Sequence, residues 1–397
     1  MKKIITPVGV SMFENYIKSK DNASFRKAYD YFKDKDKEEL GRNPSRVELI
    51  KSALEKWFDG ENENASAEVK SLIKLKEKLE DTFEVHLIAS DTALGYLAAE
   101  ILKEKLPDYK KLEISQNEIK LHHIKDLQVW DAEKFKDGLV NLIQEISKIA
   151  DEYWGDVILN MTGGYKATIP YLTILSQVNR CPIYYIFEDT DALMEIPYIP
   201  LDIKWSMFEK HKDFFRRLEK EQISEIPPDT IQEEREEILS LLESAGNLYS
   251  LNPLGIILWE KFKRNYELFY ISELVKEYIR KNEYKKIAEK SFMELKRRLK
   301  ENPKHPDLHH SLKGFNPPKG FYTFKHKENN LQVRILYKAE RFETRYGGED
   351  FDICIGLIAI GKDVHNAESE YVEWFRKNSP KVANLDKYEL YEIKKEG

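Results

Sequence analysis

Along the first half of the chain, short uninterrupted apolar runs alternate with longer stretches in which apolar residues recur every three or four positions. KKIITPV (2–8), EVHLIAS (84–90), DVILN (156–160) and PIYYIF (182–187) read as strands, because a strand covered on both faces needs no polar alternation. TALGYLAAEILKEKL (92–106) and a segment from about 165 to 177 read as the helices between them. That order predicts βαβ units and a mainly parallel sheet over residues 1–205, an α/β fold. A charged, helical-looking pattern at about 22–80 separates the first two strands and is predicted to be a peripheral decoration.

The pattern then changes twice. MFEKHKDFFRRLEKEQISEI (207–226) predicts one amphipathic charged helix, broken by the prolines that follow, and TIQEEREEILSLLESAG (230–246) a second that closes on a glycine. Together with NLYSLNPLGIILWEKFK (247–263), these make 206–265 either a small winged helix or a helical connector. From 266 onward YELFYI is a strand, 272–281 and 283–301 are helices, and GFYTFKH, LQVRILYKAE and FDICIGLIAIG follow as consecutive strands before a helix at about 367–377. Helices followed by a meander of strands predict a small α+β domain over 266–397.

Composition narrows the class. The 397 residues exceed one compact core, and about 150 residues per domain fits the three segments. A content of 41% apolar and 12% aromatic residues excludes a disordered chain. No run approaches the ~18 apolar residues of a membrane helix, and the start MKKIITPVGVSMF lacks the features of a signal peptide, so a cytoplasmic protein without a membrane partner is expected. Cys181 and Cys354, each in an apolar strand-like run, predict buried free thiols in a reducing compartment and no metal site or disulfide. The net charge of -6 conceals an asymmetry: residues 276–345 hold 19 Lys or Arg against 9 Asp or Glu. Five of the nine histidines also lie after residue 300, so a polyanion such as RNA or DNA is expected there; KRRLK (296–300) by itself reads as a solvated helix face.

In a doubly wound sheet, ligands gather beyond the carboxyl ends of the strands. Three such exits carry short polar groups or glycines: TPVGVS from Thr6 to Ser11, ASDT around Ser90 and Asp91, and NMTGGYKA from Asn160 to Ala167. Thr6, Ser11, Ser90, Asp91, Asn160 and Thr162 offer hydrogen bonds, Gly163 and Gly164 close backbone approach, and Lys166 one positive charge, a mixture suited to a phosphate and ribose. Neither a P-loop nor a GxGxxG fingerprint is present. On physical grounds alone, an anion site and a purely structural glycine turn stand side by side. The three exits, NMTGGYKA above all, resemble the CARF domain of CRISPR ancillary effectors over about 1–205. That resemblance implies a Rossmann-like sensor, a homodimer across a two-fold axis, and a cyclic oligoadenylate activator, most often cyclic tetra-adenylate. It places the ligand at Thr6, Val8, Gly9, Ser11, Ser90, Asp91, Asn160, Met161, Thr162, Gly163, Gly164, Tyr165 and Lys166; some relatives also cleave the ring.

At the other end, period two in TFKHK puts Thr323, Lys325 and Lys327 opposite Phe324 and His326, and QVRILY puts Gln332 and Arg334 opposite Val333, Ile335 and Tyr337. Two adjacent strands are thus predicted to expose a cluster of cations on one face and to pack the other on the helices. ICIGLIAI reads as the buried central strand, delivering Gly361, Lys362, Asp363 and His365 at its end. Such an inventory suits RNA cleavage without a metal or other cofactor, in which a base deprotonates a ribose 2'-hydroxyl, cations stabilise the phosphorane and an acid protonates the leaving oxygen. His309, His310 and His326 read as structural or solvated. The order HSLKG, GFYTFKHK, VRILY, IAIGKDVH resembles the RelE superfamily of ribosome-dependent mRNA endonucleases over about 266–375. The resemblance implies that Lys325 and Arg334 are the family's cationic strand residues, Arg334 at the scissile phosphate, with Lys327 and Lys362 further basic positions. Thr323 replaces a lysine of many relatives, Asp363 a basic residue, and the tyrosine is displaced, so His365 and Tyr371 are the candidates for acid and base. The expectation is a CRISPR-linked endoribonuclease, switched on by cyclic oligoadenylate and acting on mRNA in the ribosome; the alternative is a ligand-responsive transcription regulator binding DNA through a winged helix.

Overall fold

A computed structural model describes residues 1–151, 153–187, 191–227, 230–281, 284–362 and 370–395. The chain forms two compact units: Met1–Ile203 with Glu236–Glu243 and Leu251–Leu258, and Lys204–Arg235 with Ser244–Ser250 and Trp259–Gly397.

The first unit runs β1 (Lys2–Pro7), α1 (Ser11–Ser19), α2 (Ala23–Phe32), α3 (Glu38–Arg42), α4 (Pro44–Glu55), α5 (Ala67–Leu79), β2 (Phe83–Ala89), α6 (Ala93–Lys105), β3 (Ile119–His123), α7 (Ala132–Ala150), β4 (Val157–Asn160), α8 (Ile169–Asn179), β5 (Ile183–Phe187) and β6 (Ala192–Ile196). The sheet order is β3-β2-β1-β4-β5-β6. Every pairing is parallel except that of the edge strand β6. The strand order reverses between β1 and β4, so the crevice of this sheet opens where TPVGVS and NMTGGYKA leave it.

The segment at 22–80 is not peripheral. In α2 the residues Phe25, Ala28, Tyr29 and Phe32 recur at helical spacing and are buried, and Ile50, Leu54, Val69, Leu72 and Ile73 join the same core as Ile4, Val85, Leu87 and Leu97. Its many charges lie on the outer faces of helices whose inner faces fill that core. The helix expected from about 165 begins instead at Ile169, after a 3-10 turn over Lys166–Thr168, with Pro170 in its first turn, where a missing N–H costs nothing. β3, α7 and β6 were not anticipated. β3 and β6 are edge strands with mostly half-buried or exposed residues, so neither presents an apolar run.

The second unit and the stretch shared between the two contain α9 (Trp205–Lys210), α10 (Lys212–Lys220), α11 (Gln232–Ser240), β7 (Leu242–Ala245), β8 (Leu248–Leu251), α12 (Pro253–Asn265), β9 (Tyr266–Ile271), α13 (Glu273–Lys281), α14 (Lys285–Glu301), β10 (Tyr322–Glu328), β11 (Leu331–Glu343), β12 (Glu349–Gly361), α15 (Glu370–Asn378) and β13 (Glu389–Lys394). The single helix expected at 207–226 is divided at His211, which leaves helical geometry with φ -109° and ψ 25°. The helix expected to close on Gly246 ends early; 242–251 form a hairpin, and Gly246 supplies its positive φ to that turn. Cys181 and Cys354 are both buried and free, although Cys181 precedes β5 instead of lying within a strand.

The five-stranded sheet of this unit has the order β10-β11-β12-β9-β13. One face packs on α13 and α14 through Phe324, Val333, Ile335, Tyr337, Ile353 and Ile358. The other is covered as well: Leu336, Leu357 and Ala359 pack with Leu312, Phe315, Phe321, Val372 and Phe375. At the far end of the long β11–β12 hairpin, Arg216 of α10 is buried and donates to Glu219 at 2.8 Å, to Asp350 at 2.7 Å and to Asp352 at 3.1 Å. Lys296 adds a bond to Asp350 at 3.3 Å, and Lys263 pairs with Glu219.

Candidate functional site

Two clusters gather the candidate residues. At the crevice of the first sheet, β1 carries Thr6 and Pro7 to Val8, whose N–H donates to Ile88 O at 2.9 Å, so the parallel pairing persists to the last residue before Gly9. The Gly9 N–H then donates to Glu68 Oε1 at 2.8 Å, and Ser11 Oγ–H to Glu68 Oε2 at 3.3 Å. Glu68 lies in the first turn of α5, whose N-cap Ser66 accepts from Val69 N–H. Its carboxyl is fully buried, and that burial raises its pKa despite the bonds from Gly9 and Ser11.

The glycine turn closes over this carboxyl. A methyl on Gly163 would stand 2.1 Å from Glu68 Oε1, one on Gly164 2.6 Å from Pro7 Cβ, and one on Gly9 2.9 Å from Gly164 N. Gly164 also holds φ +85°. The glycines are thus needed by the protein's own packing, and Glu68 already takes up hydrogen-bond donors that an anion would want. Thr6 and Asn160, expected to face a ligand, are fully buried. Asn160 Nδ2 donates to Ser71 Oγ at 2.8 Å and to Thr6 Oγ1 at 3.4 Å, and its carbonyl accepts from Thr162 Oγ1 at 2.9 Å. They hold β1, β4 and α5 together. Met161 and Val8 are buried too.

The β2 exit is tied in separately. Ser90 and Thr92 share a 2.9 Å hydrogen bond, both buried, and the Tyr165 hydroxyl reaches Thr92 Oγ1 at 3.5 Å, linking this exit to the glycine turn. Asp91 accepts from the Asp126 N–H at 2.8 Å and pairs with His123 Nε2 at 2.7 Å. The structure therefore brings all the expected positions to one end of the sheet. It leaves Gly9, Ser11, Asp91, Thr162, Gly163, Gly164 and Tyr165 half-exposed and Lys166 exposed as the surface open to a ligand. Glu68 and Thr92 belong to the same constellation and were not among the expected residues. Thr92 stood next to the Ser-Asp pair, but nothing in the sequence separates Glu68 from the many glutamates around it.

In the second unit Lys325 of β10 stands opposite Arg334 of β11, and Arg334 opposite Ala359 of β12. The row beside it is Lys327, Gln332 and Gly361, after which Lys362 follows on the exposed end of β12. Arg334 is only 1% exposed, so the expected open face of cations is corrected to one buried arginine beside a half-buried Lys325, with Lys327 and Lys362 exposed. The cause is the second layer: α15 and the residues around Phe315 cover the next row, Leu336 and Leu357. Thr323 is buried in that row.

Arg334 Nη1 donates to Val333 O at 3.0 Å and to Gln332 Oε1 at 3.4 Å, and Tyr371 lies within electrostatic reach of the guanidinium. Its Nε–H has no partner among the described residues. Burial lowers the Arg334 pKa, an effect opposed by Tyr371. Burial raises that of Tyr371, opposed in turn by the guanidinium, so the phenol stays protonated at neutral pH. The neutral phenol keeps a proton that it can donate. His365, the other candidate for acid or base, lies outside the described residues, as does Asp363. Among the described residues no three His, Cys, Asp or Glu side chains are grouped as metal ligands, and no helix is long and apolar enough to cross a membrane.

Residues 63–199 match the model of a CRISPR-associated protein family, Cas_APE2256, which associates the chain with CRISPR systems. The matched segment runs from the residues just before α5 to the end of β6 and takes in Glu68 and the glycine turn. No curated protein gives a significant match.

Proposed function

We propose that the protein is a CRISPR-associated endoribonuclease that cleaves mRNA in the ribosome when a cyclic oligoadenylate, cyclic tetra-adenylate in the first instance, binds a CARF-like first unit. The reading rests on the grouping of Lys325, Arg334 and Tyr371: two cations abreast on neighbouring strands, and a neutral phenol within electrostatic reach of the buried one. Lys325 and Arg334 fit the non-bridging oxygens of a scissile phosphate, and Tyr371 fits the acid that protonates the leaving 5'-oxygen. The Arg334 Nε–H, which has no partner among the described residues, supports this role, since a buried cation with a spare donor suits an anion that arrives only with substrate. Ribosome dependence follows from the RelE resemblance, with the ribosome holding the message in line for attack.

For the sensor, the opening between β1 and β4 and the match over 63–199 support the ligand site. Ile169 and Ile174 of α8, 38% and 37% exposed just after the glycine turn, supply an apolar patch for a second copy around a two-fold axis. The ligand activates to the extent that it binds the active arrangement more tightly than the resting one. Addition of cyclic tetra-adenylate to a translation reaction tests the proposal. Codon-phased cuts in the message, absent with Arg334→Ala protein, are expected. Intact message with a retarded duplex DNA fragment is the outcome that the regulator reading requires.

A further inference from the structure

Resting on that reading, we propose that His310 is the general base of the cleavage, the group that takes the proton of the attacking ribose 2'-hydroxyl. The chain around it passes from one face of the five-stranded sheet to the other: Leu308 lies in the core beneath α13 and α14, whereas Leu312 lies in the core beneath α15, the side of Arg334. Between them the His310 N–H donates to Thr323 O at 2.9 Å, which pins the residue to β10, an edge strand, two positions before Lys325. The half-buried imidazole is thereby held within the electrostatic reach of Lys325, Arg334 and Asp307.

The other described histidines of this unit are engaged elsewhere. His211 meets Glu234 at 3.3 Å, His305 faces Arg298, His309 Nε2 bonds Pro303 O at 3.0 Å, and His326 stacks on Phe324 and faces Glu328. No hydrogen-bonding partner of the His310 ring is found among the described residues, which leaves a nitrogen free for substrate. Lys325 and Arg334 are donors without a lone pair for a proton in their charged forms, so they bind the phosphate. Burial first, then the charges of Arg334 and Lys325, lower the His310 pKa from 6.5, with Asp307 opposing. The ring is therefore unprotonated at neutral pH.

The step balances. His310 removes the 2'-hydroxyl proton as that oxygen bonds to phosphorus, the bond from phosphorus to the 5'-oxygen breaks, and Tyr371 gives its proton to the departing oxygen. The products are a 2',3'-cyclic phosphate and a 5'-hydroxyl, and solvent returns the two side chains to their starting states.

The test compares wild-type and His310→Gln protein on ribosome-bound mRNA with cyclic tetra-adenylate across pH. The expected result is a cleavage rate reduced ~10²- to 10⁴-fold in the variant, together with loss of the limb by which wild-type activity declines below about pH 6.5. Free imidazole should restore part of the rate to His310→Gly. Should a variant fold poorly, the wild-type imidazole signal followed by NMR provides a second measurement: it should titrate below the ordinary value and move up in Arg334→Ala. Wild-type protein that leaves messages whole removes the reading and this assignment together. Wild-type protein that cuts, beside a His310→Gln variant with the same rate and the same acidic limb, overturns the assignment alone; so does a His310 titration indifferent to Arg334→Ala.

Discussion

The Gly9 N–H donates to the Glu68 carboxyl at 2.8 Å, which puts an acid of the protein's own inside the turn where an external anion was expected. A carboxyl raised above its ordinary 4.5 favours its neutral form in the folded state. Its contribution to stability is complete below the unfolded value and is lost as pH rises through the folded one. Glu68→Gln keeps the shape and an acceptor for Gly9. The variant should match wild type near pH 4 and exceed its stability by ~1–3 kcal/mol at about pH 8, the usual scale for an imperfectly compensated buried polar group. Thermal unfolding across that pH range checks it, and a difference that does not grow with pH rejects it.

Gly163 and Glu68 are coupled through a direct contact. An added methyl at Gly163 would lie 2.1 Å from Glu68 Oε1 and 2.9 Å from Pro7 O. Gly163→Ala should cost ~1–3 kcal/mol, the usual range for overpacking. With Glu68→Ala in place the carboxyl clash is gone, so the same substitution should cost measurably less. A double-mutant cycle by urea denaturation reads the difference, and strict additivity would show that the glycine serves something else.

That contact explains what the sequence could and could not disclose. β1, β2, β4 and β5 of the first unit were legible because buried parallel strands are plain apolar runs, and the glycine turn because two adjacent glycines are rare inside such a pattern. Glu68 was not: in a chain with 34% charged residues, a buried glutamate looks like any solvated one. The inner faces of α2, α4 and α5 were obscured by the charges on their outer faces. In the second unit the strand periodicity placed Lys325 and Arg334 correctly on one face. It could not reveal that α15 covers that face, because covering is a long-range event with no local signature. The bonds of Asn160 to Ser71 and Thr6 were hidden for a related reason, since a short polar residue at a strand end serves a ligand or a neighbouring strand equally well.

Arg216 and the carboxylates of Glu219, Asp350 and Asp352 tie α10 to the open end of the β11–β12 hairpin. The Asp350 carboxyl is held far below its ordinary range, with Lys296 and Arg216 overcoming the cost of its burial. Because that value is depressed, its contribution is present above the unfolded value of 3.8 and is lost only as pH falls well below it. Arg216→Met leaves the buried Glu219 and Asp350 and the half-buried Asp352 short of a partner and should destabilise by ~3–5 kcal/mol at neutral pH. Chemical denaturation followed by tryptophan fluorescence measures this, with Trp259 stacked on Phe208 and Phe215 in the same unit as reporter. A loss below about 1 kcal/mol would mean that the network is solvated instead of buried.

Tyr371 carries two duties whose loss is read by two different measurements. Its hydroxyl interacts electrostatically with the Arg334 guanidinium, and in the proposed mechanism its proton goes to the leaving group. Tyr371→Phe removes both, and the loss of a polar neighbour of the buried guanidinium should cost about 1 kcal/mol in stability. If the phenol is the acid, cleavage should also drop ~10²- to 10⁴-fold while the affinity for ribosome-bound message changes little, because Lys325 and Arg334 remain. The acid must be protonated, and its pKa lies above the ordinary 10.0, so wild-type activity should show no decline between about pH 8 and about pH 9. Single-turnover cleavage, with message binding measured separately, distinguishes these effects. A Tyr371→Phe protein that is less stable but cuts at the wild-type rate limits the tyrosine to holding Arg334 in place.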